Sequence, residues 1–230
     1  MSVQTNEHIL KKGVSIQKLT KETLIDIYST HSVRHFPANE RKPISSIERM
    51  IGEGVYTGYG LYSPGSGDDS CRKGSSLLLS DMQLLGYAFF TVPSGQQICL
   101  LDYFAIMEDY RSLGLGSLFL QHMKASAAPY QGFLIESEDP DHANGESELS
   151  IRRKRLDFYG KNGALPTGIK ATVFGVPYRL LFFPLQDAHL PDEETLCQHF
   201  SNIYQRMVSP HHYEANVHIY THSGTYVCKR

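Results

Sequence analysis

No stretch of the sequence approaches the roughly 18 apolar residues of a membrane-spanning helix, and Met1 to Lys12 is polar, with no apolar run of secretory length. Both absences predict a cytoplasmic protein with no membrane partner. Cysteine is scarce as well. Cys71, Cys99, Cys197 and Cys228 stand far apart, without the C-x-x-C pairs of a zinc site or the density of a disulfide scaffold, and read as reduced, ordinary residues. Charge of one sign is lacking: a formal net charge of −2 exerts no general pull on nucleic acid or on an anionic membrane. No nucleic-acid partner is therefore expected, and a small ligand is the better starting point. No internal repeat is visible. What is present is 230 residues with 41% apolar content, enough to bury a substantial core in one large domain or in a domain with an appendage.

Apolar periodicity and its punctuation give an order of elements. Val14 to Leu19 reads as a short strand, followed by an amphipathic helix capped by Thr20 and a second short helix from near Ser45. Strands follow at Gly54–Tyr62 and Leu84–Val92, separated by a Ser-, Gly- and Asp-rich loop from Pro64 to Ser80. Gln97 to Met107 is almost continuously apolar, as a buried strand is, and turns at Glu108-Asp109 into a helix with Leu115, Leu118, Phe119 and Met123 on one face. The next strand is Phe133–Glu136. A polar loop, Ser137 to Glu146, leads to a helix that Ser147 caps and that Gly160 or Asn162-Gly163 ends. Strands Ile169–Val176 and Tyr178–Phe183 follow, with Pro177 marking a turn or bulge between them. Pro191 and Asp192 open a helix with Leu196, Phe200, Ile203, Tyr204 and Met207 on one face. The tail from Ser209 to Arg230 offers an edge strand or a partner contact. Antiparallel strands followed by a strand-helix-strand-helix-strand order predict an α/β (α+β) fold, a mixed sheet with helices on its faces.

The chemistry points to one turn. Between the buried strand and its helix stands Tyr110-Arg111-Ser112-Leu113-Gly114-Leu115-Gly116-Ser117, an Arg-x-x-Gly-x-Gly sequence. Backbone N–H groups at a helix start lack intrahelical partners and sit at the positive end of the helix dipole, and glycines let a phosphate approach them. The Walker pattern G-x-x-x-x-G-K-[ST] is absent, and the dinucleotide fingerprint fails because Phe119 stands where its third glycine belongs. A tight turn without a ligand is the plain alternative.

Leu101-Asp102-Tyr103-Phe104-Ala105-Ile106, followed by Asp109-Tyr110-Arg111 and Gly114-Leu115-Gly116, resembles the acetyl-CoA motif of the GNAT acyltransferase superfamily. Phe158-Tyr159-Gly160-Lys161-Asn162-Gly163-Ala164 resembles that family's aromatic-Tyr-x-x-x-Gly-Phe segment, departing from it at Ala164. The order of elements agrees from about Val14 to Leu185, and specific residues agree only between Leu84 and Ala164. The resemblance implies a mostly antiparallel sheet with helices on both faces and one splayed pair of parallel strands. It places an acyltransferase domain in residues 1–186, with a C-terminal helix and tail, 187–230, packed on that domain or on a partner subunit, which allows a homodimer. Acetyl-CoA would be the co-substrate, with pantetheine beside the backbone of Phe104, Ala105 and Ile106. The diphosphate would lie on Arg111, Ser112, Leu113, Gly114, Leu115, Gly116 and Ser117.

The implied reaction is acetyl transfer to a primary amine by direct attack in a ternary complex, with a small molecule preferred to a protein as acceptor. A non-catalytic acyl-CoA sensor or interaction module is the alternative. An alkylamine with pKa ~10.4 is neutral in about one molecule in 2,500 at pH 7, a deficit of roughly 4.6 kcal/mol, whereas a thiol leaving group of pKa about 8.5 is easier to protonate. Losing the base should therefore hurt more than losing the acid. Asp102, alone in an apolar strand where many relatives carry Glu, is the first candidate base, with Glu136 and Glu138 as alternatives, each acting through water or by orienting the amine. An equally plain reading pairs Asp102 with a nearby cation for fold reasons. Tyr159 matches the family tyrosine beside the sulfur and is the candidate acid. Thr30 to Arg49 is expected to line the acceptor pocket.

Arg152-Arg153-Lys154-Arg155 places Arg152 and Arg155 on the helix face of Tyr159, where they could reach CoA phosphates, although a solvated helix face explains them more simply. His211-His212, with His218 and His222, lacks the spacing and the companion ligands of a metal site, so no metal is expected.

Overall fold

The structure, a computed structural model, describes residues 13–64, 82–126 and 130–226. The polar N-terminal segment, the expected loop beyond Pro64, Cys71 and Cys228 lie outside them. Strand β1 (Ser15–Lys18) leads into helix α1 (Lys21–His35), whose Thr20 cap accepts the Thr23 N–H. Helix α2 (Ile44–Gly52) follows, then strands β2 (Tyr56–Pro64), β3 (Met82–Thr91) and β4 (Ile98–Ile106). Helix α3 (Leu115–Ser126), β5 (Gly132–Glu138), helix α4 (Glu146–Lys161), β6 (Leu165–Val173) and β7 (Val176–Pro184) complete the middle of the chain. Helices α5 (Glu193–Met207) and α6 (Pro210–Asn216), with strands β8 (Val217–Thr221) and β9 (Gly224–Tyr226), form the C-terminal part.

The described strands form one nine-stranded sheet in the order β1-β2-β3-β4-β5-β7-β6-β8-β9. Every neighbouring pair is antiparallel except β4–β5. This is the mixed, mostly antiparallel architecture expected from the sequence. Side chains of β3 and β4 alternate between two cores. One contains Leu24, Ile27 and Tyr28 of α1, Ile47 and Met50 of α2, and Leu196, Phe200, Ile203, Tyr204 and Met207 of α5. The other contains Leu115, Phe119, Leu120 and Met123 of α3 with Tyr159 of α4. The tail from Ser209 supplies α6 and two strands, β8 being hydrogen-bonded to β6.

Two irregularities build the site. The β4–β5 ladder runs from Ile98↔Gly132 to Leu101↔Ile135 and stops, although both strands continue. Beyond that rung β4 stays with β3 as far as Ile106, and β5 stays with β7 as far as Glu138, so a wedge opens between them. At the same level β3 shifts register: Phe89 faces Tyr103 and Phe90 faces Leu101, leaving Asp102 as the extra residue of a bulge. The bulge breaks the alternation, and Asp102 and the next residue, Tyr103, both reach Lys42 on one side of the sheet.

The structure corrects three boundaries. Gly145, not Ser147, precedes the first turn of α4: its φ of 98° is open to glycine and strained for serine, and Glu148 accepts the Asn144 N–H at 2.6 Å from inside the helix. The turn expected at Pro177 falls at Phe174-Gly175, and Pro177 lies inside β7 opposite Thr172, where its carbonyl accepts the Asp139 N–H at 2.9 Å. The bulge sits in β6 instead, between Pro166 and Lys170. Strand β5 also continues past Glu136 to Glu138, because β7 pairs with it there.

Candidate active site

The turn after β4 is a cradle of backbone amides. A short 3-10 turn, Glu108–Tyr110, carries the chain off the strand, and Ser112 and Gly114 then take φ values of 64° and 76°. Gly114 gives its carbonyl to the Leu118 N–H at 3.0 Å, starting α3. Among the described residues the amides of Ser112, Leu113, Gly114, Leu115, Gly116 and Ser117 donate to no acceptor. They stand at the positive end of a three-turn helix, the setting in which an anion is held best. Leu115 is buried in the core beneath the turn and Leu113 packs beside it. The Arg111 Nε donates to the Ile106 carbonyl at 3.1 Å, locking the turn to the strand end.

Gly116 has a packing reason as well. A Cβ there would lie 3.1 Å from the Phe158 ring and 3.7 Å from Ile106. Phe158 in turn stacks with Phe104, their ring centroids 6.3 Å apart. The glycine-bearing turn after β4 and the Phe158-Tyr159 segment at the end of α4 therefore touch.

A cavity of about 470 Å³ opens at the wedge. Phe104, Ala105, Ile106, Arg111 and Tyr159 line one part of it; Asp102 and Glu136 stand where the strands part; His35, Phe36, Glu40, Arg41 and Lys42 come from the segment between α1 and α2. Tyr178 and Tyr204 complete the wall from β7 and α5. The Thr30–Arg49 segment thus supplies cavity wall.

Asp102 is almost fully buried, and both its oxygens are engaged: Oδ1 with Lys42 Nζ at 2.5 Å, Oδ2 with the Tyr56 hydroxyl at 2.6 Å. Sequence reasoning left open whether it is a free base or a paired carboxylate, and here it is paired. Glu136 is the first β5 residue past the last shared rung. Burial pushes its carboxyl up to about 7, against the opposing pull of a hydrogen bond from the Tyr204 hydroxyl, 2.7 Å from Oε1, and of the Lys42 ammonium. Glu40 is likewise pushed up to about 7, by burial and by the nearby Glu138 carboxylate. Tyr159 is buried, its hydroxyl makes no hydrogen bond among the described residues, and burial raises it to about 12.

The basic run of α4 divides. Arg152 is buried; it donates to the Asp139 carbonyl at 2.7 Å and pairs with Glu138 and Glu148, so it is a structural ion and not part of a solvated face. Arg155 binds Glu138 at 2.5 Å and reaches the cavity, while Arg153 and Lys154 are exposed. Glu138, held by both arginines, is thereby tied into this network. In the tail, His222 pairs with Glu193 at 3.0 Å and His212 with Ser209 at 3.1 Å. Among the described residues no three His, Cys, Asp or Glu side chains stand together as a metal site, and no helix is long and apolar enough to cross a membrane.

Glu40, Lys42, Tyr56 and Tyr204 were not individually legible as site residues. Glu40 and Lys42 fall within the segment expected to form the acceptor pocket, and Tyr204 carried only the signal of a core-facing helical position.

No family profile matches the chain, and no curated protein matches it in sequence. Solved structures do match. A protein assigned to the GNAT acetyltransferases from Bacteroides thetaiotaomicron aligns with a TM-score of 0.57 at 13% identity, over 85% of this chain and 99% of its own. The aminoglycoside 6'-N-acetyltransferase from Enterococcus faecium aligns with a TM-score of 0.51 at 14% identity, over 77% of this chain and 99% of its own. The chain has the fold of the GNAT acetyltransferases.

Proposed function

We propose that the protein is an N-acetyltransferase, moving the acetyl group of acetyl-CoA to a primary amine of a small-molecule acceptor by direct attack in a ternary complex. The observation that carries this is the alignment of two features: a row of six unpartnered amides at a helix start, and a wedge between parallel strands that leads from it into a cavity with buried carboxylates. The amides from Ser112 to Ser117, with Arg111 beside them, suit a diphosphate. The backbone of Phe104, Ala105 and Ile106, no longer paired with β5, suits the amide groups of pantetheine.

Glu136 is the stronger candidate for receiving the amine proton. Near neutral pH it exchanges between acid and carboxylate, the condition under which proton transfer is most effective. A carboxylate is a weak direct base for an ammonium, so it acts through water or by orienting the amine. Asp102, occupied on both oxygens, fixes Lys42 and Tyr56 and places a negative charge at the wedge. Tyr159 keeps its proton at neutral pH and is free to donate it to the departing thiolate. Glu40 and Glu136, facing one cavity and, among the described residues, hydrogen-bonded to no cation, favour a positively charged acceptor.

The test has two parts. CoA and acetyl-CoA are expected to raise the melting temperature in a saturable way, as ligands of the native state do. Thiol release is expected to require acetyl-CoA and an amine together. CoA binding without turnover across a broad amine panel would instead leave an acyl-CoA sensor as the function, and no CoA binding would remove both.

A further inference from the structure

The acceptor side of the cavity already holds a primary amine belonging to the chain. Lys42 Nζ stands 2.5 Å from Asp102 Oδ1 and 5.1 Å from the centre of the Tyr103 ring, and only 20% of its side chain is exposed. Its backbone is fixed with equal care: the Lys42 N–H donates to the Tyr103 hydroxyl at 3.0 Å, and the Tyr28 hydroxyl donates to the Lys42 carbonyl at 2.6 Å. Tyr103 also holds the Glu40 carbonyl at 2.9 Å. Three tyrosine and carboxylate anchors thus determine where this ammonium stands. Asp102 is the first β4 residue beyond the last rung shared with β5, so that place is the mouth of the wedge.

We infer that Lys42 is itself an acyl acceptor, and that acetyl-CoA bound in the wedge acetylates its Nζ within the same chain. This rests on the proposed acetyl transfer. After the ammonium gives one proton to Asp102 or water, the Nζ lone pair attacks the thioester carbonyl carbon. The C–N bond forms, the C–S bond breaks, the sulfur takes the electron pair and a proton, and the nitrogen loses its second proton. In sum, a lysine ammonium and acetyl-CoA give an acetamide, CoA thiol and one released proton. The modification removes the positive partner of Asp102 and leaves an amide in its place.

The experiment uses the full chain with acetyl-CoA and no added amine, followed by peptide mass spectrometry over time. The exposed Lys154 and Lys161 serve as internal standards for uncatalysed acetylation. Lys42 is expected to gain one acetyl group about 100-fold faster than either standard, at a rate independent of protein concentration, as a positioned intramolecular reaction does. Free CoA should suppress labelling of Lys42 and not of the standards. In Lys42→Arg the fast phase should vanish while acetyl-CoA still stabilises the protein. Lys42 labelled no faster than the standards, or labelled regardless of free CoA, or a fast phase that survives Lys42→Arg, in protein that acetyl-CoA stabilises, would overturn the inference and leave transfer to added amines standing. Absence of any stabilisation by acetyl-CoA would overturn both.

Discussion

The two sides of the wedge are built from different materials. On the side of α3 and α4 the groups that matter are backbone amides and apolar faces: Ser112 to Ser117, Gly116 against Phe158, Phe104 against Phe158 and Phe119. On the side of α1, α2 and α5 they are side-chain charges and hydroxyls: Asp102 with Lys42 and Tyr56, Glu136 with Tyr204, and Glu40. A backbone site binds a ligand that never changes, and it tolerates many side chains provided glycine stands where φ or contact demands it. A side-chain site fixes one acceptor and can be rebuilt by a few substitutions without disturbing the other half. If the protein acts as proposed, cofactor affinity and acceptor chemistry should therefore respond to separate mutations.

Glu136→Gln gives the largest expected separation. It removes the proposed proton acceptor, so kcat should fall roughly 10²-fold, as loss of a general base does, while the Kd for acetyl-CoA stays unchanged. The sign of the pH effect follows from the carboxyl titrating at about 7: the wild-type rate rises as pH increases through that value, because the ionised form accepts the proton. The variant should lack this limb. A matching fall in acetyl-CoA affinity would show that the two sides are not independent.

Gly116→Val attacks the other side. Its Cβ would press on Phe158 at 3.1 Å and its branches would tilt the first turn of α3. Losing one amide-to-phosphate hydrogen bond at ~1.5–3 kcal/mol weakens acetyl-CoA binding about tenfold to a hundredfold, measurable by calorimetry, with acceptor preference unaltered. Tyr159→Phe should be milder still. The leaving thiol needs little help, so kcat should drop about tenfold, with the melting temperature nearly constant because the hydroxyl has no hydrogen-bond partner among the described residues to lose. Unchanged turnover would remove Tyr159 from the mechanism.

The same contrast explains which features the sequence reveals and which it hides. The cradle was legible because its main requirements are local: a strand, a glycine at positive φ and a helix start all fall within Ile98 to Phe119. The helix cap at Thr20 was legible for the same reason, bonding an amide three residues on. The α4 cap misled because serine and glycine both suit a helix start, and only the 98° torsion of Gly145 decides between them. Pro177 misled because its place depends on where β5 ends, which is a fact about another strand. The side that holds the carboxylates is assembled across the chain. Lys42 meets Asp102 from 60 residues away and Tyr204 meets Glu136 from 68. No spacing rule reaches that far, and Tyr204 looks like one more core aromatic on the face of α5.

Tyr204 provides the finest test, since it asks whether α5 belongs to the chemistry or only to the core. Its hydroxyl is 2.7 Å from Glu136 Oε1 and favours the ionised carboxyl, in opposition to burial. In Tyr204→Phe the ring still fills its place beside Phe200, while the hydrogen bond is lost. A bond worth about 1 kcal/mol corresponds to a little under one pH unit. The rising limb of the pH–rate profile should therefore move to higher pH by up to about one unit, with kcat unchanged on the alkaline plateau. A purely structural tyrosine would lower stability and leave the limb where it was. The direction discriminates as sharply as the size: a shift toward lower pH would mean that the hydroxyl had been holding Glu136 in its protonated form, and the proton would then have to be received elsewhere on the acceptor side.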